Sequence, residues 1–298
     1  MNEIPTRQNQ DHSIKLLAAQ RQLYLDAKKL NNCSILIALS ATIFSFFSIN
    51  LFPEIRGFVY LAVGIATLFE RIYLSQKRKK LQKKAATVQQ RFDSEVLDLD
   101  LEENNISRVT PETIRDASAR YKCKQENCLE LYDWYTVDVG KLELYKARVI
   151  CQRANVSWDS NLRRFYAEWI IYILLFLLSI GIIIGLVGGV TLYFFLSRIL
   201  VPMVPIFNLA IPQSIENFQA ATRLDASKFK LDSIIEKLKK GIYNKEEIEK
   251  DSYQLQRDIY ENRCNNPLIF EWIYLKLRNK FQTTMNEADK ELISQIKS

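Results

Sequence analysis

Histidine is almost absent from this chain. Among 298 residues there is one, His12, near the N-terminus. Because histidine is the side chain used most often for general acid–base catalysis and is a common metal ligand, the sequence offers little for either chemistry. A Walker loop, a dinucleotide-binding fingerprint, a nucleophile elbow and a zinc-protease motif are also lacking. We therefore predict no catalytic residues, no metal site and no enzymatic activity.

Apolar residues are unevenly distributed, although the mean hydropathy of -0.12 does not by itself indicate a membrane protein. They concentrate in two blocks, residues 33–74 and 169–211. Each block is long enough for two helices of about 20 residues, the length that crosses a bilayer. Residues 50–57, with a proline, a glycine and two charges, divide the first block, and Gly188-Gly189 divides the second. The predicted spans are 33–51, 57–74, 168–187 and 190–211.

Lysine and arginine are nearly missing from the two predicted turns, which share only Arg56. The N-terminal tail contains 5, the segment 71–166 contains 19 and the tail from Gln213 contains 15. Since short loops rich in these residues stay in the cytoplasm, both termini are predicted to be cytoplasmic. The first span also lacks the charged start and cleavage site of a signal peptide. The predicted fold class is an all-α integral membrane protein with four transmembrane helices in two hairpins.

Three polar segments flank the spans. Residues 1–32 carry apolar residues at helical spacing, which predicts an amphipathic helix leading into the first span. Segments 75–167 and 212–298 are mostly helical in pattern, and we expect them to pack together as one cytoplasmic domain. Within the first of them, Thr110-Pro111-Glu112 predicts a helix start. The acidic run from Asp93 to Asn105 instead predicts a turn or a short extended stretch.

Five cysteines are scattered along the chain, and the predicted topology places all of them in the cytosol or at its edge. That compartment is reducing, so free thiols are expected. The pair Cys123-x4-Cys128 could belong to a zinc site. Without a histidine nearby, ordinary partly buried cysteines are the favoured interpretation.

A basic run from Lys77 to Lys84 follows the second span directly. Lysines at this depth attract anionic lipid headgroups, and this role is favoured over nucleic-acid binding. The expected partners are therefore inner-membrane lipids, and no binding of duplex DNA or RNA is expected.

Small residues mark two candidate packing faces inside the membrane. Gly181, Gly185 and Gly189 recur every four residues in the third span, which lets another helix approach closely. That helix is the fourth span of the same molecule or a helix of another subunit, the first being favoured. The first span carries small residues that form either a packing seam or a wettable pore lining: Ala38, Ala41, Thr42, Ser45 and Ser48.

Arg198 is the most unusual intramembrane residue. It lies eight residues after the second turn, about 12 Å deep, where an arginine costs roughly 2.5–3.5 kcal/mol. Pro202 removes the helical hydrogen bond to the Arg198 carbonyl, and Pro205 does the same to the Val201 carbonyl, so a kink is expected. Two interpretations stay open: Arg198 belongs to a gate in a kinked helix, or it forms a static pair with Glu70.

Several longer motifs resemble those of one family. They are Ile4-Pro5-x-Arg7-Gln8-Asn9, the run 17–24, Phe92-Asp93-x-x-Val96-Leu97, Asp133-Trp134-Tyr135, Cys151-Gln152-Arg153-x-Asn155-x-x-Trp158-Asp159, Leu162-Arg163-Arg164 and the run 265–274. With four spans in two hairpins, the chain resembles the bacterial S-4TM family of pore-forming effectors over nearly its whole length. One departure is Leu101, which stands where a tryptophan is expected.

The resemblance implies a role in anti-phage defence of the CBASS type. In such systems a nucleotidyltransferase (CD-NTase) senses infection and makes a cyclic oligonucleotide. By that resemblance the chain is a homo-oligomeric effector in the bacterial inner membrane, needs no other cofactor, and permeabilises the membrane when the cyclic oligonucleotide activates it. Two alternatives are a housekeeping transporter or regulated channel, with Arg198 as a counter-ion, and a scaffold that recruits a soluble partner through its helical tail.

A cyclic oligonucleotide presents phosphates and flat bases, which favour arginine and aromatic side chains. The stretch from Asp133 to Arg164 leads directly into the third span and supplies both. The candidate ligand contacts are Trp134, Tyr135, Arg153, Trp158, Arg163 and Arg164. The alternative is that the aromatic residues belong to the core and that Arg163 and Arg164 are interfacial anchors.

Overall fold

The computed structural model describes residues 2–100, 109–123 and 126–297. Within these ranges the regular structure is helical and no strand occurs, which confirms the predicted all-α class. The helices are α1 (Ile4–Arg7), α2 (Asp11–Leu51), α3 (Arg56–Phe69), α4 (Ser75–Leu97), α5 (Pro111–Arg120), α6 (Leu144–Val187), α7 (Leu192–Phe195), α8 (Val201–Lys239), α9 (Lys245–Asn265) and α10 (Glu271–Lys297). Short 3-10 helices cover Pro53–Ile55, Glu126–Leu131 and Val137–Lys141.

Four helices are long and apolar enough to cross a membrane. They are α2, α6 and two composite helices in which a π-helical turn joins α3 to α4 and α7 to α8. The 44 residues of α6 extend about 66 Å, roughly twice the hydrocarbon thickness of a bilayer. Each long helix therefore contains one span and a polar continuation. Of the amphipathic helix predicted for residues 1–32, the part from Asp11 onward is the first part of α2, whereas Ile4–Arg7 form the separate α1.

The predicted breaks are the tips of the two hairpins. In the first, α2 ends at Leu51 and the 3-10 helix Pro53–Ile55 leads into α3. In the second, α6 ends at Val187 and the chain reverses at Gly189, whose φ of +59° is easily adopted only by glycine. The side chain of Thr191 then caps α7 by accepting a hydrogen bond from the Phe194 N–H.

The polar continuations of the long helices share one hydrophobic core. We call this region the helical body; it contains the start of α2, most of α4, α5, the start of α6, the end of α8, α9 and α10. Its largest fully buried side chains come from segments far apart in sequence: Leu16, Leu17, Phe92, Leu97, Leu131, Ile150, Leu231 and Ile235. A smaller cluster of Leu162, Tyr166, Ile269 and Ile273 packs the later part of α6 against the start of α10.

A buried ion pair lies at the centre of the body. Asp93 is completely buried on α4, and its carboxylate accepts hydrogen bonds from Arg263 of α9, from the Tyr135 hydroxyl at 2.7 Å and from Gln256 at 3.0 Å. Burial alone lowers the pKa of Arg263, but the Asp93 carboxylate outweighs it and the pKa is raised. Losing either partner would leave a buried charge uncompensated, which is strongly destabilising.

The prediction of a turn or extended stretch beginning at Asp93 is wrong, because α4 continues to Leu97. Arg263 neutralises the Asp93 carboxylate inside the body, so the acidic character of this stretch does not indicate exposure to water. The chain leaves the helix at Asp98, which has a φ of +57°. Leu101 and Asn105 lie outside the described residues.

Other local predictions have mixed outcomes. The start of α5 is confirmed, since the Thr110 hydroxyl accepts a hydrogen bond from the Thr113 N–H. The expectation of free thiols is wrong for Cys123 and Cys128, which form a disulfide. Their Cα atoms are 5.0 Å apart because the backbone reverses near Cys128, whose φ is +57°. The other three cysteines are free.

Two of the three candidate packing glycines face the fourth span. A Cβ atom on Gly181 would lie 3.2 Å from Ile199 Cγ2, and one on Gly185 would lie 3.0 Å from Phe195 Cδ2. The third, Gly189, has no atom this close and serves the hairpin turn instead. The close approach in this structure is therefore between the two helices of the second hairpin.

We predict that Gly185→Leu destabilises the second hairpin by roughly 1–3 kcal/mol, because the added side chain must displace Phe195. Thermal unfolding of the detergent-solubilised protein measures the effect. Gly64→Leu is the matched control, since no atom lies within 4 Å of the corresponding Cβ position in α3. Equal unfolding temperatures for the two variants would contradict the packing contact.

Asp289 of α10 is 2% exposed and its Oδ1 atom has no hydrogen-bond partner among the described residues. Burial raises its pKa to about 7, an effect that Arg153 partly opposes. Below about pH 4 the carboxyl is protonated in both the folded and the unfolded chain. Between pH 4 and pH 7 only the unfolded chain releases the proton, so stability falls as the pH rises through this window.

We predict that Asp289→Asn removes a stability loss of roughly 1 kcal/mol per pH unit between pH 4 and pH 7. Chemical denaturation of the variant and the wild type across this range measures the difference. Glu287→Gln, on the exposed side of the same helix, is the control and should keep the wild-type slope. The prediction fails if Asp289→Asn and wild type show the same pH dependence.

Candidate functional site

The fourth span is not a regular α-helix around Arg198. Between Leu196 and Leu200 it forms a π-helical turn, in which the Val201 N–H donates to the Leu196 carbonyl and not to that of Ser197. Pro202 has no N–H to donate to the Arg198 carbonyl. The carbonyl oxygens of Ser197 and Arg198 therefore lose the donors that a regular α-helix would give them.

The first hairpin supplies polar side chains at this position. The Asn50 side-chain amide lies 3.4 Å from the Arg198 carbonyl, and the Tyr60 hydroxyl lies 3.4 Å from the Ser197 carbonyl. We call these four residues the carbonyl latch. Unsatisfied carbonyls are costly in hydrocarbon, so the latch favours contact between the hairpins. Both distances are long for hydrogen bonds, so the stabilisation is modest.

The Arg198 side chain does not pair with Glu70. Its guanidinium carbon lies 4.5 Å from the ring centroid of Phe194, and among the described residues no carboxylate lies within ion-pair distance. Glu70 instead lies 3.9 Å from Arg78, near the helical body. The static-pair interpretation is thus wrong, because the Glu70 carboxylate pairs with Arg78 of the same composite helix. Pro202 and Pro205 are both buried in the helix packing.

A large cavity lies where the spans meet the helical body. This junction cavity has a volume of about 850 Å³ and is bounded by α2, the composite helix of α3 and α4, α8, and the connection between α9 and α10. Three alanines of α2 and α3 and two prolines of α8, Pro205 and Pro212, are among the residues that line it. Of the candidate seam in the first span, Ala38 and Ala41 line this cavity, whereas Ser45 and Ser48 are buried and do not line it.

A second cavity lies within the helical body. This body pocket has a volume of about 400 Å³ and is lined by residues of α2, α6, α9, α10 and the segment before α6. Its aromatic and cationic residues contact one another. The rings of Trp158 and Tyr274 meet edge to face at 5.0 Å, and Arg21 lies 5.5 Å from the Trp134 ring and 5.9 Å from the Tyr274 ring.

Three buried hydrogen-bond donors in residues lining the body pocket lack partners within the described structure. They are Arg21 Nε, Trp158 Nε1 and Asn266 Nδ2. A buried donor without an acceptor costs roughly 1–3 kcal/mol, so the pocket favours a molecule that brings acceptors. A cation, aromatic faces and free donors together suit an anion that carries flat rings.

Three of the six predicted ligand contacts line the body pocket, and three do not. Trp134, Trp158 and Arg163 line the body pocket. Tyr135 is buried beside Asp93, and burial together with that carboxylate raises the pKa of its hydroxyl, which therefore stays a donor. The other two form ion pairs away from the pocket, Arg153 with Asp232 at 2.5 Å and Arg164 with Asp225.

Arg163 lines the pocket, but its Nε and Nη1 atoms already donate to other groups of the protein. It is 8% exposed and donates to Asp159 at 3.0 Å, to the Asn217 side chain at 3.0 Å and to the Pro267 carbonyl at 2.8 Å. These bonds fix α6 to α8 and to the connection between α9 and α10. Within the body pocket, Arg163 therefore holds the walls in place.

Sequence reasoning missed Arg21, Asn266 and Tyr274 as pocket residues. They lie far from the stretch of residues 133–164 on which the prediction concentrated, and only the tertiary fold brings them to it. A signal was present, since all three belong to motifs that carry the family resemblance, residues 17–24 and 265–274.

Comparison with known proteins gives a consistent result. The model of the SMODS-associating 4TM effector domain matches residues 2–292. A Bacillus cereus (strain VD146) protein named "Probable CBASS effector molecule" is 26% identical over 298 residues, which cover 96% of this chain and 97% of that protein. No solved structure matches the chain. The resemblance seen in the sequence motifs is thus confirmed, and the chain belongs to the SMODS-associating 4TM effector family.

Proposed function

We propose that this protein is a pore-forming effector of anti-phage defence that a cyclic oligonucleotide activates to permeabilise the bacterial inner membrane. In this proposal both termini and the helical body are cytoplasmic, and a CD-NTase synthesises the ligand. The observation that carries the proposal is the body pocket, with its unpartnered donors and aromatic faces on helices that continue into the membrane. Membership of a CBASS effector family supports it.

The body pocket suits a cyclic oligonucleotide in its chemistry. Phosphate oxygens can accept hydrogen bonds from the unpartnered donors Arg21 Nε, Trp158 Nε1 and Asn266 Nδ2. Bases can stack on Trp134 or Tyr274. A pocket of about 400 Å³ lies within the usual range for small-molecule sites. A cyclic molecule of several nucleotides is larger, so its remaining part would extend beyond the pocket mouth.

The connection between pocket and membrane is continuous helix. Arg21 lies on α2 and Trp158 on α6, and both helices run without interruption into the first and third spans. A ligand held between them can therefore change the relative position of the two hairpins. It activates only if it binds the conducting arrangement more tightly than the resting one, because equal affinity shifts no equilibrium.

The carbonyl latch is the element that we propose to open. It joins the hairpins through two long, weak contacts next to a π-helical turn, a kind of irregularity that is frequent at functional sites. When the hairpins separate, the carbonyls of Ser197 and Arg198 become available to water. Homo-oligomers of this open form would then enclose a polar path lined by the fourth span.

Co-expression with the cognate CD-NTase should collapse the membrane potential, measured with a potential-sensitive dye. Trp158→Phe keeps an aromatic ring but removes the Nε1 donor, so it should require roughly tenfold more signal, the value of a hydrogen bond to a charged group. Trp272→Phe is the matched control, because Trp272 is exposed and does not line the pocket.

The outcomes separate the function from the site. An unchanged potential in cells with confirmed expression of wild-type protein and active CD-NTase would refute the proposed function. Depolarisation by wild type, Trp158→Phe and Trp272→Phe at the same signal level would leave the function standing and refute the body pocket as the ligand site.

For the latch, we predict that Tyr60→Phe increases the ligand-independent ion leak, because it removes the donor to the Ser197 carbonyl without changing the ring. Leak of a fluorescent ion indicator from liposomes containing the purified protein measures it. Tyr172→Phe, on the exposed surface of the third span, is the control and should leak as the wild type does. A resting leak of Tyr60→Phe equal to that of the wild type would contradict the latch.

A further inference from the structure

The junction cavity has an apolar wall and a cationic rim. Its side within the spans includes the apolar side chains of Ile37, Ala38, Ala41, Ala66 and Leu209, together with polar residues such as Thr67 and Asn208. Its side next to the helical body carries Arg71, Arg78, Lys79 and Lys83, from the end of the second span and the start of α4. The division between the two sides falls where the apolar block ends and the basic run begins, which is the depth of lipid headgroups.

Three of the four cations have no carboxylate partner. Arg78 donates to Asn31 at 2.8 Å and lies 3.9 Å from Glu70, whereas no ion pair in the described residues involves Arg71, Lys79 or Lys83. The other carboxylates of the lining, Glu216 and Glu261, are exposed. The lining thus carries four cations against three carboxylates, and the three cations without an ion pair can contact an anion.

A cavity of about 850 Å³ between packed helices also requires an occupant for its apolar wall. Alanines on two of the bounding helices leave space here that longer side chains would fill. A free phosphate would satisfy the rim and leave the apolar wall without contacts. A molecule with an anionic head and hydrocarbon tails satisfies both sides.

From this arrangement we infer that the junction cavity is a binding site for one anionic phospholipid from the leaflet next to the helical body. Its phosphate lies among Arg71, Lys79 and Lys83, and an acyl chain lies against Ala38, Ala41 and Ala66. The lipid contacts α2, α4, α8 and the connection between α9 and α10, so it joins the spans to the body. This inference does not rest on the proposed function.

The basic run provides its own matched control. All four lysines are exposed on the same helix, but Lys79 and Lys83 line the cavity and Lys80 and Lys84 do not. The double variants Lys79→Ala/Lys83→Ala and Lys80→Ala/Lys84→Ala therefore lose the same charge from the same short segment. General attraction to an anionic surface would weaken equally in both.

The test is native mass spectrometry of the full chain in detergent, titrated with phosphatidylglycerol or phosphatidylcholine. The wild type and Lys80→Ala/Lys84→Ala should retain phosphatidylglycerol in preference to phosphatidylcholine. Lys79→Ala/Lys83→Ala should bind phosphatidylglycerol roughly 30-fold more weakly, since each lysine contributes about fivefold. Equal weakening in the two double variants, or equal retention of the two lipids by the wild type, would overturn the inference.

A second variant tests the apolar wall with every charge in place. Ala41→Phe fills the space beside Ala38 and Ala66, and it should displace phosphatidylglycerol while leaving the thermal unfolding temperature close to that of the wild type. Undiminished binding by Ala41→Phe would show that no acyl chain enters the cavity. Displacement of the lipid by inorganic phosphate at equal concentration would identify the site as one for a free anion and would also overturn the inference.

Discussion

Hydrocarbon offers no hydrogen-bond partner to a peptide group, and this constraint shapes every part of the molecule within the membrane. Continuous helices meet it along nearly all of the four spans. The fourth span does not meet this constraint by itself at the π-helical turn and Pro202, because the carbonyls of Ser197 and Arg198 have no donor within the helix. There the first hairpin contributes Asn50 and Tyr60. The irregular part of one hairpin thus depends on the polar side chains of the other.

The helical body meets the opposite requirement, since it must bury charge. The Asp93–Arg263 pair is enclosed by Tyr135 and Gln256, and Arg163 donates to Asn217 of α8 and to the Pro267 carbonyl. Satisfied polar groups of this kind fix the arrangement of helices because no other packing pairs them equally well. The body pocket differs, because three donors in residues that line it lack partners, which is why it is the best candidate for a ligand site.

The sequence predicts features that depend on neighbouring residues and misses features that depend on contacts between distant segments. The four spans, the two turns and the capped start of α5 follow from apolar length, glycine and a threonine cap, each readable within a few residues. The helical state of Asp93 does not, because it depends on an arginine 170 residues away. The same holds for the body pocket, whose walls come from both ends of the chain, and for the latch, whose contacts span more than 130 residues. The sequence identifies Arg198 as an unusual residue but does not predict which groups surround it.

The uninterrupted course of α6 has a mechanical consequence. Hydrogen bonds from Arg163 fix α6 to α8 and to the segment after α9. Trp158 precedes this fixed point along α6, and Gly185 follows it. Along the helix axis, Trp158 lies about 8 Å and Gly185 about 33 Å from Arg163, at 1.5 Å per residue. If α6 pivots rigidly at Arg163, a displacement of about 1 Å at Trp158 becomes a displacement of roughly 4 Å near the tip of the second hairpin. A small displacement in the body would therefore move the tip of the second hairpin relative to the first hairpin, which it contacts through Asn50 and Tyr60.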